Sequence, residues 1–378
     1  MRRTGLSGSF WPTERQVLLL RAALLDGERA HAAWRRLQPG FRLDELETPA
    51  VALLPLLHRR LGELDMDEEL RSRVRGINRH AWYVNNLRLG RLSHVVRLLA
   101  DAGADPLVVG SFELPLLYYR DLGLRAVPAL NVLARPEAEA SAINALAADG
   151  WTQVGRSAAA TQFRSGNDHC LVYRRLFHEF AGEGSRAPAD LRPLAVGLSL
   201  HTAEAHAPCP ADELVHLCVE GARPNSVQSA MWAADACVVV EAAGAELNWD
   251  RVVEQARRLR ATLRLRDAFS FLRRELDVSV PPAVVEALTR TPTRSRERLA
   301  HAAAATSLPA LGPPPQSLTR FLRLTADRSL PKALRALPAF LQDEWELERR
   351  SQLPLQAARK GAVRVAAARR HAPTAGTR

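Results

Sequence analysis

Cysteine is scarce in this chain. Its 378 residues hold four, Cys170, Cys209, Cys218 and Cys237, and no two form a Cys-x-x-Cys pair. That excludes a disulfide-built scaffold, because a chain of this length buries a large core without cross-links. Reduced thiols and a cytoplasmic location are the expectation. Long apolar runs are missing as well. The best stretch, Met231 to Leu247, carries Asp235, Glu241 and Glu246, so no membrane partner is expected. The first ten residues hold no apolar core of a signal peptide. Gly-x-Ser-x-Gly, the Walker loop, Gly-x-Gly-x-x-Gly and His-Glu-x-x-His are all absent. His201, His206, Cys209, His216 and Cys218 crowd together, but their spacing fits no standard zinc site. Cys218 reads as a helix-core residue.

Lysine is nearly absent too. Lys332 and Lys360 are the only two, so arginine supplies almost all of the 52 basic residues. The net charge of +11 is unevenly placed. From Leu355 on, Arg359, Lys360, Arg364, Arg369, Arg370 and Arg378 contribute +6 with no acid, which leaves a body of +5. Such a tail reads as a solvated end or as an arm for an acidic partner. Aromatic residues make up 6%, and the tryptophans are scattered and form no stacking platform interleaved with the basic residues, so nucleic acid is not an expected partner.

What is present is helix, then a mixed segment, then helix. Residues 11–103 form a helical lead-in. Thr48 to Leu61 reads as one helix and Glu68 to Leu87 as another, and Leu92, Val95, Val96 and Leu99 give a third stripe at helical spacing that ends at Gly103. Residues 104–201 change period. Pro106 to Val109 and Val127 to Ala134 are short β-branched runs around a helix at Phe112 to Tyr119. A helix over Pro136 to Ala148 follows, then strands at Trp151 to Val154, Ala160 to Arg164 and His169 to Arg175, the last two joined by Ser165-Gly-Asn-Asp. Leu194 to Leu200 reads as one more strand. Residues 202–311 are helical, with Trp249 to Leu276 read as one long element capped by Asn248 or Asp250. A linker opening on Gly312-Pro-Pro-Pro and short helices fill 312–354, and 355–378 is the basic tail, with a helix to Arg370. The expected fold is α+β: a small mixed sheet flanked by helical regions.

Residues 106–134 outline a chemical site. A strand ending in Gly110-Ser111 and feeding a helix presents backbone N–H groups and a hydroxyl to an anion. Acids at i and i+2 of the next strand would share one face and could hold Mg²⁺ against a triphosphate. In this frame Val108-Val109-Gly110-Ser111-Phe112-Glu113-Leu114, then Tyr118 to Arg125, then Ala129 to Glu137 resemble the Leu-Lys-Gly-x-x-Leu, Tyr-x-x-x-x-x-Arg and Asp-x-Asp-Leu-Leu-Val blocks of the uncharacterised bacterial nucleotidyltransferases of the polymerase-β-like superfamily. Leu53 to Leu57, Leu146 to Trp151, Leu171 to Phe177, Leu214 to Ala222 and Met231 to Asp235 resemble further family blocks, so the likeness spans about residues 15–290.

The resemblance implies a nucleotidyltransferase fold, a nucleotide contact at Gly110, Ser111 and Arg125, and a role in a biosynthetic pathway. The departures fall where the metal should bind. Ala129 and Asn131 stand at the two acids of Asp-x-Asp, Leu171 at the third acid, Val109 at the lysine and Tyr173 at the histidine. Alanine and leucine cannot ligate, and asparagine offers a neutral carbonyl. The expectation is a catalytically degenerate member with no cofactor, binding a nucleotide, a small molecule or a protein partner. One alternative is an active Mg-dependent enzyme using relocated carboxylates, with Glu113 and Asp121 as candidates. Another is an adaptor using its basic tail. Arg125 could contact an anion or simply pair with Asp121.

Overall fold

The structure is a computed structural model that describes residues 11–370 apart from 47, 158, 178–189, 222–229, 306–315, 326–327 and 346. The linker opening at Gly312 and the tail's last eight residues therefore lie outside the described residues. Helices α1 (Glu14–Leu24) and α2 (Gly27–Leu37) open the chain. A capping box starts α1: the Thr13 hydroxyl accepts from the Gln16 N–H and the Gln16 side chain accepts from the Thr13 N–H. The single helix expected over Thr48 to Leu61 is broken into α3 (Thr48–Val51), α4 (Leu54–Leu57) and a 3₁₀ turn at His58–Arg60, with Pro55 at the start of α4, the position proline suits.

The next two expected segments fuse into one helix, α5 (Glu68–Asp101). Asp67 caps its start by accepting from the Leu70 N–H, and Gly103 ends it at φ 75°. The sheet then assembles. Strand β1 (Leu107–Val108) leads through the Gly110-Ser111 turn into a π-helical segment, Leu114–Tyr119, and β2 (Leu130–Leu133) follows. A 3₁₀ turn enters α6 (Glu139–Ala148). Strands β3 (Thr152–Arg156), β4 (Ala160–Ser165) and β5 (Asp168–Tyr173) form a meander, with Gly166 at φ 59° in the anticipated β4–β5 turn.

Strands β6 (Val196–Ser199) and β7 (Glu204–Ala207) complete a seven-stranded mixed sheet in the order β3-β4-β5-β2-β1-β7-β6. Strand β7 was not expected. Its Glu-Ala-His-Ala sequence has little strand propensity, and its place is set by pairing with β1 and β6.

Helices α7 (Pro210–His216), α8 (Met231–Ala243), α9 (Trp249–Arg258), α10 (Thr262–Leu276) and α11 (Pro282–Arg290) follow. The element expected over Trp249 to Leu276 is two helices, because Arg260 adopts φ 55° and breaks the ladder. Asn248 is the cap of α9, accepting from the Arg251 N–H. Helices α12 (Ser295–Ala305), α13 (Gln316–Leu324), α14 (Leu330–Glu344) and α15 (Leu353–Arg370) end the described chain.

The sheet carries a core on each face. Leu130, Val132, Cys170 and Val172 pack with Leu92, Val96 and Leu99 of α5 and Leu146 of α6. Leu107 and Leu133 join Leu19, Leu56, Leu214 and Phe269, so the lead-in and C-terminal helices share one core with the other face. Each fully buried leucine contributes on the order of 2 kcal/mol. No helix among the described residues is long and apolar enough to cross a membrane.

Candidate functional site

The site lies where β1, β2 and β5 run side by side. Strands β1 and β2 are antiparallel and β2 and β5 parallel, with Asn131 opposite Leu171 in the register. Residues alternate along a strand, so Leu130, Val132, Cys170 and Val172 fill one core while Asn131 and Leu171 share the opposite face. Ala129 stands just before β2, two residues from Asn131 and in phase with it. All three are half-buried. The corner at which the resemblance calls for three acids is thus assembled from a methyl group, a carboxamide and an isobutyl group.

A magnesium ion does not fit this set. Asn131 offers one neutral carbonyl, Oδ1, which is buried with no hydrogen-bond partner, while its amide donates to the Gly110 carbonyl at 3.4 Å. Ala129 and Leu171 offer no donor atom. Among the described residues, no group of three or more His, Cys, Asp or Glu side chains could hold a metal ion.

The Gly110-Ser111 turn is tightly built. Gly110 sits at φ 59°, in the left-handed region, and a Cβ there would lie 2.8 Å from Cε1 of His216. Only glycine suits both demands. Ser111 is fully buried, and its N–H donates to both Glu113 carboxyl oxygens at 2.9 and 3.0 Å. The amide that would serve a phosphate is therefore engaged by the chain's own carboxyl group.

Glu113 is itself fully buried beside Glu213 of α7. Burial first, and then the Glu213 charge, push its pKa up to about 8, against the pull of the Ser111 N–H and Arg125. Glu213 Oε1 lies 3.4 Å from His216 Nδ1, while Glu213 Oε2 and the Tyr118 hydroxyl are buried without hydrogen-bond partners. The Tyr118 hydroxyl is held well above its usual range by burial and by the two carboxyl groups. Phe177 meets the His216 ring edge-on.

Arg125 is held elsewhere. It is 8% exposed and makes a two-point pair with Asp235 of α8, at 2.8 and 3.0 Å, and the Tyr119 hydroxyl donates to the same carboxylate at 2.9 Å. Burial alone would lower the guanidinium pKa, but the charge and hydrogen bonds of Asp235 overcome it and raise it. Its partner is thus Asp235 and not Asp121, which accepts from the Gly123 N–H at 2.7 Å. Asp121 and Glu113 are both committed to backbone amides.

The sequence placed the turn and the in-phase positions Ala129 and Asn131 but missed Glu213, His216, Tyr118 and Asp235 as partners of the site. Their blocks, Leu214 to Ala222 and Met231 to Asp235, carried the resemblance without any sign of a contact a hundred residues away. Of the crowded His and Cys group, His216 packs on Gly110 and Cys218 is buried in the core. The Cys209 thiol donates to Asp212, and His201 and His206 are exposed.

The family described as uncharacterised nucleotidyltransferase matches residues 50–277, more than half of the chain. No curated protein matches. The chain therefore belongs to the uncharacterised nucleotidyltransferase family.

Proposed function

We propose that this protein is a catalytically degenerate member of its family that acts by binding, without nucleotidyl transfer, within a biosynthetic pathway. One observation carries the reading: the register that brings Ala129, Asn131 and Leu171 to one corner supplies no carboxylate there. Transfer chemistry needs a counter-charge for the group in flight. Its loss costs several kcal/mol of transition-state stabilisation, or about three orders of magnitude in rate.

Relocated carboxylates find less support. Glu113 and Glu213 are fully buried, and Glu113 and Asp121 already accept backbone N–H groups. A nucleotide or another anionic small molecule could use the Ser111 amide only by displacing Glu113. The engaged amide and the Arg125–Asp235 pair therefore favour a small-molecule or protein ligand over a triphosphate.

The test is turnover. Purified protein is incubated with each of the four ribonucleoside triphosphates and Mg²⁺, and pyrophosphate release is followed. No release above the uncatalysed background is expected. Mg²⁺-dependent release that disappears in Glu113→Gln would overturn the proposal in favour of relocated ligands.

A further inference from the structure

Helix α5 is chemically one-sided. Between Leu70 and Ala100 it carries seven arginines (Arg71, Arg73, Arg75, Arg79, Arg88, Arg91 and Arg97) and no acid. Acids reach it from its ends and flanks. Asp44 pairs with Arg73, Glu68 with Arg75, Asp168 with Arg88 and Arg91, and Asp149 with His94. The middle of the helix is different. Among the described residues no carboxylate pairs with Arg79, and this arginine is exposed.

Beside it stand three of the chain's exposed large apolar side chains, Trp82 at 50%, Tyr83 at 58% and Leu87 at 58%. At 100° per residue, Arg79, Tyr83 and Leu87 follow one another at i, i+4 and i+8, with Trp82 next to them. Solvent-exposed tryptophan and tyrosine in the middle of a long helix are unusual for a free surface and mark a contact.

We infer that the solvent face of α5 around Arg79, Trp82 and Tyr83 binds single-stranded nucleic acid. The exposed Arg79 suits an anionic partner, and a second copy of the same helix would bring no acid of its own between Leu70 and Ala100 to meet it. Flat indole and phenol rings next to an exposed guanidinium are the combination that stacks bases and contacts phosphates. An acidic protein segment would answer the charge alone and leave two exposed rings without a planar partner. The inference does not use the strand corner. It stands whether or not the protein performs transfer.

The test uses the full chain and fluorescence anisotropy with short dye-labelled oligo(dT) and oligo(rU) at low salt. Binding to at least one is expected. Trp82→Ala with Tyr83→Ala, exposed substitutions checked for folding by circular dichroism, should weaken it about tenfold or more. Arg79→Ala should lower the slope of log affinity against log salt by about 0.7. Trp82→Phe should retain most of the affinity, because a flat ring remains. Two results would overturn the inference: no binding of either strand, or binding to which the aromatic pair is indifferent. The second would assign the affinity to charge elsewhere, such as the basic tail.

Discussion

The Glu113 carboxyl group should make stability fall as pH rises. In the folded protein it holds its proton up to about pH 8, against an ordinary value near 4.5, because it is buried and faces Glu213. The folded state therefore binds more protons than the unfolded chain between these values. Stability is full below about pH 4.5 and is lost as pH climbs through about 8. One proton sets a limiting slope of about 1.4 kcal/mol per pH unit, hence a few kcal/mol across the window.

The groups facing it are the Ser111 N–H, Glu213 and His216 of α7, Tyr118 on its own segment, and Arg125. Glu113→Gln keeps a carbonyl oxygen to accept from Ser111 and removes both the titration and the repulsion. Urea unfolding of parent and variant at several pH values between 5 and 8, followed by circular dichroism, gives the two slopes. The parent should lose stability across the range, and the variant should lose less, with the difference widening towards pH 8. Parallel curves would refute the account of a buried carboxyl pair. Glu113→Ala should be worse than Glu113→Gln at pH 5, because it orphans the Ser111 amide at about 1–3 kcal/mol.

Two further substitutions probe the same site. Gly110→Ala combines a left-handed φ with a Cβ placed 2.8 Å from His216, and thermal unfolding should show a loss of about 2–4 kcal/mol. Arg125→Ala leaves Asp235 buried without its charge partner and should cost about 3–5 kcal/mol. The double change Arg125→Met with Asp235→Leu should cost clearly less, as chemical denaturation of the two variants measures.

The frame of this protein was legible in its sequence wherever local signals agree. The helical character of the lead-in, the Gly166-Asn167 hairpin and the strand–Gly–Ser–helix turn appear as read, although the helix expected over Thr48 to Leu61 is broken, because periodicity and glycine conformation act over a few residues. The i, i+2 phase of Ala129 and Asn131 followed from strand alternation, and the β2–β5 register set Leu171 beside them. What stayed hidden depends on distance along the chain. Strand β7 exists because β1 and β6 pair with it, not because Glu-Ala-His-Ala favours extension. Arg125 finds Asp235 across 110 residues, and Glu113 faces Glu213 from another element. The unity of α5 was obscured by reading it as two helices, which also hid the exposed Arg79, Trp82 and Tyr83.

The central claim is that the strand corner has lost its metal site, and divalent-metal binding tests it most directly. Calorimetric titration of Mn²⁺ or Mg²⁺ into the parent should give no saturable heat, whereas Ala129→Asp with Asn131→Asp, which restores the in-phase carboxylates, should create a saturable site. A saturable site in the parent that is weakened by Asn131→Ala would contradict the account and return the protein to the metal-dependent enzymes.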